Sequence, residues 1–454
     1  MSVRRRNAFD ALRAAVQGGV LLPPEDGFQS ACSPWNRAVR QRPAVVVRAA
    51  QRDDVVTAVR FAAEHGMPIG VQAAGHGARI PADGALLIDT SALREIDVDP
   101  ATNRARIGAG ARLLDVVMAA EHHGLAMPAG YARTVGAVGY TLGGGHGCFA
   151  RQQGLATQSV RSIDLVTPAG DHLHLTPESD PDLWWGMLGH GAALATVTSL
   201  EVGLHEVRQL AGGRLTWPID RTEDVLAAYA EAAADLPDEV SLDLALLQRD
   251  APDGSRSRSV VVDAVACASL KGLHGITGPL RSIPGLQGDS TSGLRPSELF
   301  AINDDPTDPT PEHYDGGLLD ELDPRAVAAI AATLGDGAES PFDSLRIRRL
   351  GGALMQQTSA AAVGRIEEPF LIFGVAIGAE DGVGEAVAEA TGRQGQALGD
   401  TLKPQAIPNF VGTTPQAAAT FRAPEPDRLR SLKRRVDPRG LLRFHPPLPL
   451  PLPG

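Results

Sequence analysis

The chain has 454 residues, enough for two domains with substantial cores, and hydrophobic residues make up 43% of it. No apolar stretch reaches the ~18 residues that a membrane-spanning helix needs, so we expect no membrane partner. The formal net charge is −12 and the basic residues are scattered, which argues against a surface that follows nucleic-acid phosphates.

The first residues and the cysteines predict a reducing compartment. Arg4, Arg5 and Arg6 are followed by an amphipathic helical pattern over residues 7–19, not by the apolar segment of a secretory signal. The three cysteines are isolated and fit no metal or C-x-x-C spacing. We therefore expect a cytoplasmic protein with free thiols and no metal site. For Cys148 a small buried thiol is favoured over a reactive one.

A β-α-β pattern follows. Residues 44–48 are an apolar β-branched run, and Asp53 or Asp54 is a candidate cap for a helix that Gly66 closes. A second strand over residues 69–72 ends in a turn, and a third covers residues 85–89. The turn reads Ala73, Ala74, Gly75, His76, Gly77.

Residues 134–147 contain six glycines in fourteen positions. Glycine tolerates positive φ and leaves the backbone unobstructed, so successive N–H groups can form an anion-binding concavity. The run matches neither the P-loop nor the Rossmann pattern, which favours a dinucleotide held in another fold. The alternative is a plain cluster of turns.

The later chain predicts strands covered by helices. Strands are expected at residues 160–166 and 172–175, and then at 240–247 and 259–265. Helices are expected at residues 222–234 and 324–334. Residues 303–317 are rich in Asp, Pro and Gly and predict a loop, whereas residues 346–350 predict a strand.

Four motifs in order over residues 42–202 make the chain resemble the berberine-bridge-enzyme-like FAD-linked oxidases of the vanillyl-alcohol-oxidase type. These are the segment from Arg42 to Arg48, Gly75-His76-Gly77, residues 88–93, and the glycine run. Residues 181–185, Pro-Asp-Leu-Trp-Trp, are similar to the family's P-D-L-F-W.

The resemblance implies an α+β fold with two domains. A PCMH-type FAD-binding domain is expected over residues 38–205, after an N-terminal helical segment of residues 1–37. A substrate domain, an antiparallel sheet covered by helices, is expected over residues 206–400. Residues 401–454 are expected to return to the FAD domain.

The resemblance also implies FAD as cofactor, with its pyrophosphate received by backbone N–H groups of the glycine run. His76 matches the histidine that is often bonded covalently to the flavin; the alternative is a loop histidine held by backbone. His146 is expected to be a spacer that faces solvent or phosphate. The predicted cofactor-binding residues are Ala73, Ala74, Gly75, His76, Gly77, Thr134, Val135, Gly136, Gly139, Tyr140, Gly143, Gly144 and Val197.

An oxidase of this kind needs a base, and tyrosine or carboxylate is the usual choice. Tyr314 is the candidate, with His313 as an alternative, although a solvated lid is the favoured interpretation of their loop. Arg348 or Arg346 is expected to face the substrate while the other extends to solvent. The resemblance adds Asn409 to the predicted catalytic set of Tyr314, Asn409 and Arg348.

Departures from the family pattern predict weaker flavin binding. The second flavin-linking cysteine of bicovalent members is replaced by Ala132, which excludes that attachment. Family tyrosines, asparagines and glycines are also replaced. The replacements are Ile407, Pro426, His445, Pro447, Ala192 and Ala195. They predict FAD that is held weakly unless His76 anchors it.

The expected function is two-electron oxidation of a small organic substrate, such as a natural product, with O₂ as acceptor. A cyclase or isomerase on a degenerate scaffold without redox chemistry is the alternative, and a binding protein without catalysis is a third. The only expected partner is the small-molecule substrate, and the protein is expected to be a monomer or a homodimer.

Overall fold

The structure is a computed structural model that describes residues 3–250, 256–356, 361–403, 407–410, 412 and 425–445. A small mixed sheet lies first in the chain. Its strands are β1 (Gly19–Leu21), β2 (Val45–Arg48), β3 (Ile69–Gln72) and β4 (Leu86–Asp89), in the order β1-β2-β4-β3. Strand β1 is antiparallel to β2, and the other strands are parallel. Its helices are α1 (Val3–Ala15), α2 (Phe28–Cys32) and α3 (Arg52–His65).

The predicted β-α-β unit is present, but the start of α3 differs from the prediction. Gly66 ends α3 in the left-handed region at φ 63°, as expected of a helix C-terminus. The N-cap, however, is Gln51. Asp54 does not cap α3; its carboxylate accepts hydrogen bonds from the backbone N–H groups of Gln17, Gly18 and Ala50, which holds the N-terminal segment against α3.

A five-stranded antiparallel sheet completes the first domain, in the order β5-β6-β10-β8-β9. The strands in this part of the chain are β5 (Ile96–Asp99), β6 (Arg104–Gly108), β7 (Leu125–Ala126), β8 (Val160–Val166), β9 (His172–Leu175) and β10 (Thr196–Gly203). The helices are α4 (Leu113–Glu121), α5 (Ala137–Leu142), α6 (Ala150–Gln153) and α7 (Pro181–Leu194). The bounds of β8 and β9 agree with the prediction. Helix α7 is broken at Leu188–His190, where Gly189 has φ 133°.

The second domain is one large antiparallel sheet in the order β15-β12-β14-β13-β18-β19-β17-β20. Its strands are β12 (Ala211–Pro218), β13 (Val240–Asp250), β14 (Arg256–Ala266), β15 (Gly288–Asp289), β16 (Ser292–Gly293), β17 (Glu312–Leu319), β18 (Ser344–Arg349), β19 (Phe370–Ile377) and β20 (Leu402–Lys403). The short strand β11 (His205–Glu206) pairs with β7 outside this sheet. The helices are α8 (Thr222–Ala234), α9 (Leu270–Ile276), α10 (Gly278–Arg281), α11 (Phe300–Asn303), α12 (Pro324–Leu334) and α13 (Val383–Leu398). The bounds of α8 and α12 agree with the prediction.

One face of this sheet packs on helices and the other faces the first domain. Side chains alternate between faces along a strand, so Leu345 and Ile347 of β18 are buried under the helices. Arg346 and Arg348 lie on the opposite face, where the first domain covers them. The large sheet is therefore buried on both sides, and its inner face is one wall of the space between the two domains.

The prediction of a loop over residues 303–317 was wrong for its last part. Residues 312–317 belong to β17, which pairs with β19 so that Tyr314 lies opposite Val375. Gly316 weakens a strand by propensity, but a Cβ there would lie 2.4 Å from the carbonyl oxygen of Ile372. The glycine therefore permits a close approach of strands that the sequence pattern does not show.

The C-terminal segment lies against the first domain. Helix α14 (Glu425–Val436) packs on α7, and Leu442 forms a parallel bridge with Ile69 of β3. The Lys433 ammonium donates to the carbonyl oxygen of Ala193 at 2.6 Å and pairs with Asp437 at 2.6 Å. Pro447 and the Pro-rich tail lie outside the described residues.

Candidate active site

A cavity of about 1100 Å³ lies between the first domain and the inner face of the large sheet. Single-ligand pockets commonly measure ~300–1,000 Å³, so this one has room for a large ligand and a second molecule. One end is lined by glycine-rich turns of the first domain. The other end is lined by polar and aromatic side chains of β13, β17, β18 and β19.

The turn after β3 forms one side of the glycine-rich end. All five residues of this turn, Ala73 to Gly77, line the cavity. Gly75 has φ 81°, and a Cβ there would lie 2.7 Å from Pro34. The N–H groups of Trp35 and Asn36 donate to the carbonyl oxygens of Ala74 and Gly75, which braces the turn from outside. The N-terminal segment thus shapes this wall, a role that the sequence pattern does not indicate.

The start of the glycine run forms the opposite side. Val135, Gly136, Gly139, Tyr140 and Gly143 line the cavity. A Cβ at Gly139 would have no described atom within 4 Å, so it would project into open space. The turn after β3 and the start of the glycine run thus leave a passage between them, which a larger side chain at one of these glycines would fill.

Two residues of the predicted cofactor set lie off the cavity wall. Gly144 has φ 112°, and a Cβ there would meet Ile407, Asn409 and Val363 within 3.5 Å. It is therefore a packing and conformational glycine rather than part of the lining. Thr134 contacts His76 instead of the open cavity.

His76 is held on two sides. Its Nε2 lies 2.8 Å from the Thr134 hydroxyl, and its ring stacks on Trp35 with centroids 3.7 Å apart and planes 16° from parallel. Burial, assisted by the Arg112 charge, lowers the pKa of His76 to about 3. The ring is therefore neutral and fixed in orientation, and Nδ1 is the nitrogen that the Thr134 contact leaves available.

Asn409 lines the cavity and contacts the glycine run. Its Oδ1 accepts a hydrogen bond from Gly145 N at 2.7 Å, and its Nδ2 donates to Tyr140 O at 3.2 Å. Both ends of the amide brace the glycine run. The structure thus shows a supporting role for Asn409, whose Nδ2 keeps a second N–H, and because the residue lines the cavity its predicted catalytic role stays a prediction.

Both arginines of β18 line the cavity, so the prediction that one of them extends to solvent was wrong. Residues 346 and 348 are two apart on a strand and must share a face. Arg346 pairs with Asp305 at 3.4 Å, and Arg348 pairs with Asp243 at 3.4 Å. The Arg348 guanidinium also lies about 5 Å from three aromatic rings, those of Tyr131, Phe373 and Phe410.

Tyr314 lines the cavity and His313 does not. The Tyr314 hydroxyl accepts hydrogen bonds from Arg79 Nε at 3.1 Å and from Arg79 Nη2 at 2.6 Å. His313 points to the other face of β17, where its ring lies 3.0 Å from the position of a Cβ on Gly384 of α13. The strand alternation thus selects Tyr314 from the two candidates.

Glu312 is a site residue that the sequence interpretation missed, because it fell in the segment read as a loop. It lines the cavity two residues before Tyr314 on the same face of β17. Burial, together with the Asp305 charge and against that of Arg346, raises the pKa of Glu312 to about 7. The only signal for Glu312 in the sequence is that it precedes Tyr314 by two residues, which places both side chains on one face if the segment is a strand.

His146 and Cys148 are buried rather than exposed to solvent. His146 is 3% exposed, with Nδ1 3.5 Å from Arg348, so it does not face solvent as one alternative expected; it lines the cavity, and a contact with phosphate stays a prediction. Burial and the Arg348 charge lower the pKa of His146 to about 3. Cys148 is 6% exposed and burial raises its pKa, which agrees with the expected inert thiol.

The sequence profile of an FAD binding domain family matches residues 43–176. Among curated proteins, (R)-6-hydroxynicotine oxidase of Paenarthrobacter nicotinovorans is 32% identical over 231 residues, which is 50% of this chain and 50% of that protein. The FAD-linked oxidoreductase azaL of Aspergillus niger is 29% identical over 202 residues, 43% of each chain. The sequence matches thus span about half the length of these relatives.

Solved structures match over nearly the whole chain. BBE-like 1 of Physcomitrella patens has a TM-score of 0.85 at 19% identity, covering 97% of this chain and 99% of its own. The 6-hydroxy-D-nicotine oxidase of Arthrobacter nicotinovorans has a TM-score of 0.84 at 24% identity, covering 95% and 98%. This chain has the fold of these FAD-linked oxidases, and its residues 43–176 match the FAD binding domain family. The α+β fold with a PCMH-type FAD-binding domain is thereby confirmed.

The matched domain family binds FAD, and the residues at the glycine-rich end fit this cofactor. Buried polar atoms along the cavity that have no hydrogen-bond partner in the described part of the chain include Trp35 Nε1, the Tyr140 hydroxyl and His146 Nε2. Buried donors without partners are costly, so donors that line a cavity indicate a ligand with acceptor atoms. FAD, with phosphates, ribityl hydroxyls and ring carbonyls, is such a ligand.

The departures from the family pattern leave the cavity open. Ala192 and Ala195 both line it, and their methyl groups do not close the space beside Val197. His445 lines the cavity where the family has asparagine. The FAD-binding end is thus complete in shape, although several polar contacts of the family are absent from it.

Proposed function

We propose that this protein is an FAD-dependent oxidase of a small organic substrate. The proposal is supported by one continuous cavity that joins the glycine-rich FAD-binding end to a second end with an ionisable group. That group, Glu312, carries the proposal. A carboxyl group with a pKa near 7 can accept a proton at neutral pH, and such a base is what the oxidation of an alcohol or amine requires.

Bound FAD supplies acceptance of two electrons from the substrate and their transfer to O₂. The residues of this chain do the rest. Backbone of the turn after β3 and of the glycine run holds the cofactor, and Phe373 and Phe410 exclude water from the substrate end. Glu312 Oε accepts the proton that leaves the substrate heteroatom. Tyr314 and Arg346 orient the substrate beside it.

His76 is proposed to anchor the flavin covalently. The ring is neutral, its Nε2 is engaged by Thr134, and its plane is fixed by Trp35. A neutral imidazole nitrogen is a nucleophile, whereas a protonated one is not. A covalent bond through Nδ1 would also compensate for the family contacts that this chain lacks.

Oxidases with this fold are named for chemically different substrates. The solved structures with this fold include a xylooligosaccharide oxidase of Myceliophthora thermophila, with a TM-score of 0.83 at 20% identity, as well as the nicotine-derivative oxidase. A small organic molecule, such as a natural product, is our proposed substrate. A cytoplasmic location and a monomeric or homodimeric state remain predictions.

The alternative of a flavin-free cyclase or isomerase is less well supported, because the FAD-binding end is open and lined by donors without partners. One experiment separates the two. The purified protein is inspected for the visible absorbance of oxidised flavin, and H₂O₂ release is then measured with a panel of alcohols, amines and oligosaccharides. A yellow protein that releases H₂O₂ with one class supports the proposal. A colourless protein that takes up no added FAD contradicts it.

The described residues hold no cluster of three or more histidine, cysteine or acidic side chains suited to a metal ion. Within the same described ranges, no helix combines the length and apolarity that a membrane crossing requires.

A further inference from the structure

Arg79 joins three separate segments of the chain at the edge of the cavity. It lies three residues after His76 in the first domain, and it lines the cavity. Its guanidinium donates to the Tyr314 hydroxyl of β17 through two nitrogens, at 3.1 and 2.6 Å. It also donates to the carbonyl oxygens of Pro408 at 3.3 Å and Asn409 at 3.2 Å, in the C-terminal segment.

The two hydrogen bonds from Arg79 determine what the Tyr314 hydroxyl can still do. A phenolic oxygen has one proton to give and a limited capacity to accept. With two N–H groups directed at that oxygen, its accepting side is filled, and the O–H proton must point away from Arg79. No described residue accepts that proton, and Tyr314 lines the cavity. The hydroxyl is therefore a donor directed at whatever occupies the substrate end.

The position of Tyr314 on its strand gives the second part of the argument. Glu312 and Tyr314 are two residues apart on the same face of β17, a spacing of about 7 Å along a strand. Both line the same end of the cavity. Under the function proposed above, Glu312 accepts a proton from the substrate, so an acceptor and a donor of the protein lie side by side.

We propose that Arg79 is a positioning residue that fixes Tyr314 as a hydrogen-bond donor. It follows that the substrate carries an acceptor atom, such as a carbonyl, ether or hydroxyl oxygen, in addition to the group that gives its proton to Glu312. The statement about Glu312 rests on the proposed oxidase function. The pairing of Arg79 with Tyr314 does not depend on it.

The first test measures binding without turnover, with two probes that differ mainly in one acceptor. Acetophenone has a carbonyl oxygen and ethylbenzene has none, and their binding to the purified protein is followed by ligand-observed NMR titration. We expect the wild-type protein to prefer acetophenone by ~3- to 10-fold, the value of one neutral hydrogen bond. Tyr314→Phe and Arg79→Met should each abolish this preference, and Arg79→Lys should keep part of it.

The matched control is Arg94→Met, which removes an exposed arginine whose Nε donates only to the backbone oxygen of Ser91. It should retain the full preference for acetophenone. If Arg79→Met retains the preference as well, or if it lowers the melting temperature without changing the preference, then Arg79 is merely structural and the proposal is overturned.

The second test is a double-mutant cycle with the best substrate of the oxidase panel. Because Arg79 acts through Tyr314, the double variant should be within about 2-fold of Tyr314→Phe in kcat/KM. The loss should appear mainly in KM if the bond is equally strong before and during the reaction. Losses that multiply in the double variant would show that the two residues act separately.

The two tests keep the two proposals apart. A protein that turns over no substrate but shows the expected probe preferences contradicts the oxidase function and supports the pairing of Arg79 with Tyr314. A protein that is an active oxidase but has independent effects at the two residues contradicts only the pairing.

Discussion

At the scale of single residues, burial determines which groups of the site are charged. His76 and His146 both have a pKa lowered to about 3, so each imidazole is neutral near pH 7. Glu312 has its pKa raised to about 7, so the carboxyl group changes charge near neutrality. The site therefore contains neutral histidines and one titrating acid, an arrangement that suits a carboxylate base rather than a histidine base.

Glu312 should control the pH dependence of the reaction. The carboxylate form, which accepts the proton, is populated above a pKa of about 7, so kcat/KM should rise with pH and level off above that value. Glu312→Gln should remove this acidic limb and lower kcat by ~10²- to 10⁴-fold. Steady-state kinetics across pH with flavin content measured in parallel checks this. A variant that keeps the acidic limb would assign it to another group.

His76 should govern whether flavin stays with the denatured protein. We expect fluorescent flavin to migrate with the wild-type chain on a denaturing gel, and His76→Ala to lose that signal. Thr134→Val, which removes the Nε2 partner, should slow attachment without abolishing it, because the Trp35 stack remains. Complete release of flavin from the denatured wild-type protein would disprove the covalent link.

At the scale of elements, the alternation of side chains along β17 and β18 builds the substrate end. Glu312 and Tyr314 face the cavity while His313 faces α13, and Arg346 and Arg348 face the cavity while the residues between them face the helices. The glycine run builds the other end by leaving side chains out. The substrate end therefore depends on the alternation of side chains along two strands, and the other end depends on the lack of side chains in the glycine run.

The glycine run should tolerate no side chain at the position that faces the cavity. Gly139 lies in α5, and a Cβ there projects into open space where the cofactor is expected. Gly139→Val should abolish FAD binding, measured by absorbance after reconstitution, while circular dichroism stays unchanged. The matched control is Gly275→Val in α9, where a Cβ also meets no described atom within 4 Å. Full flavin occupancy in the Gly139 variant would show that the run is structural.

At the scale of the whole molecule, the two ends of the chain close the site. The N-terminal segment supplies Trp35, which stacks on His76. The C-terminal segment supplies Asn409, which braces the glycine run, and Lys433, which ties α14 to α7. A domain cut at the boundaries of the matched FAD-binding profile would lack all three, so the site belongs to the complete fold.

Lys433 should contribute strongly to stability. Its side chain is 9% exposed and that of Asp437 is fully buried, and Asp437 also accepts the backbone N–H groups of Leu441 and Leu442. Lys433→Met leaves the buried carboxylate without its cation, which should cost ~3–5 kcal/mol of unfolding free energy. Denaturant unfolding measures this, with the exposed Lys271→Met as control. A loss below ~1 kcal/mol, as for an exposed pair, would show that solvent reaches Asp437.

The sequence alone indicated the FAD-binding fold, the cofactor and most elements of the first domain. These follow from local signals: the glycine run, the His76 turn, the β-branched strands and the helix-ending Gly66. These features are local, because a few neighbouring residues suffice to form a backbone that can bind phosphate or to end a helix in the left-handed conformation. The same holds for α8 and α12, whose apolar periodicity is complete within one segment.

Only the tertiary structure decided which polar groups act together. Glu312 became a site residue through the pairing of β17 with β19, a non-local event that overrides the turn-like composition of its segment. The orientation of Tyr314 depends on Arg79, 235 residues earlier in the chain. Gly144 was assigned to the cofactor by pattern, yet it lies off the cavity wall and packs beside Asn409. Burial, pKa and the direction of a hydroxyl depend on neighbours distant in sequence, and these neighbours meet only when both domains and both chain ends have folded together.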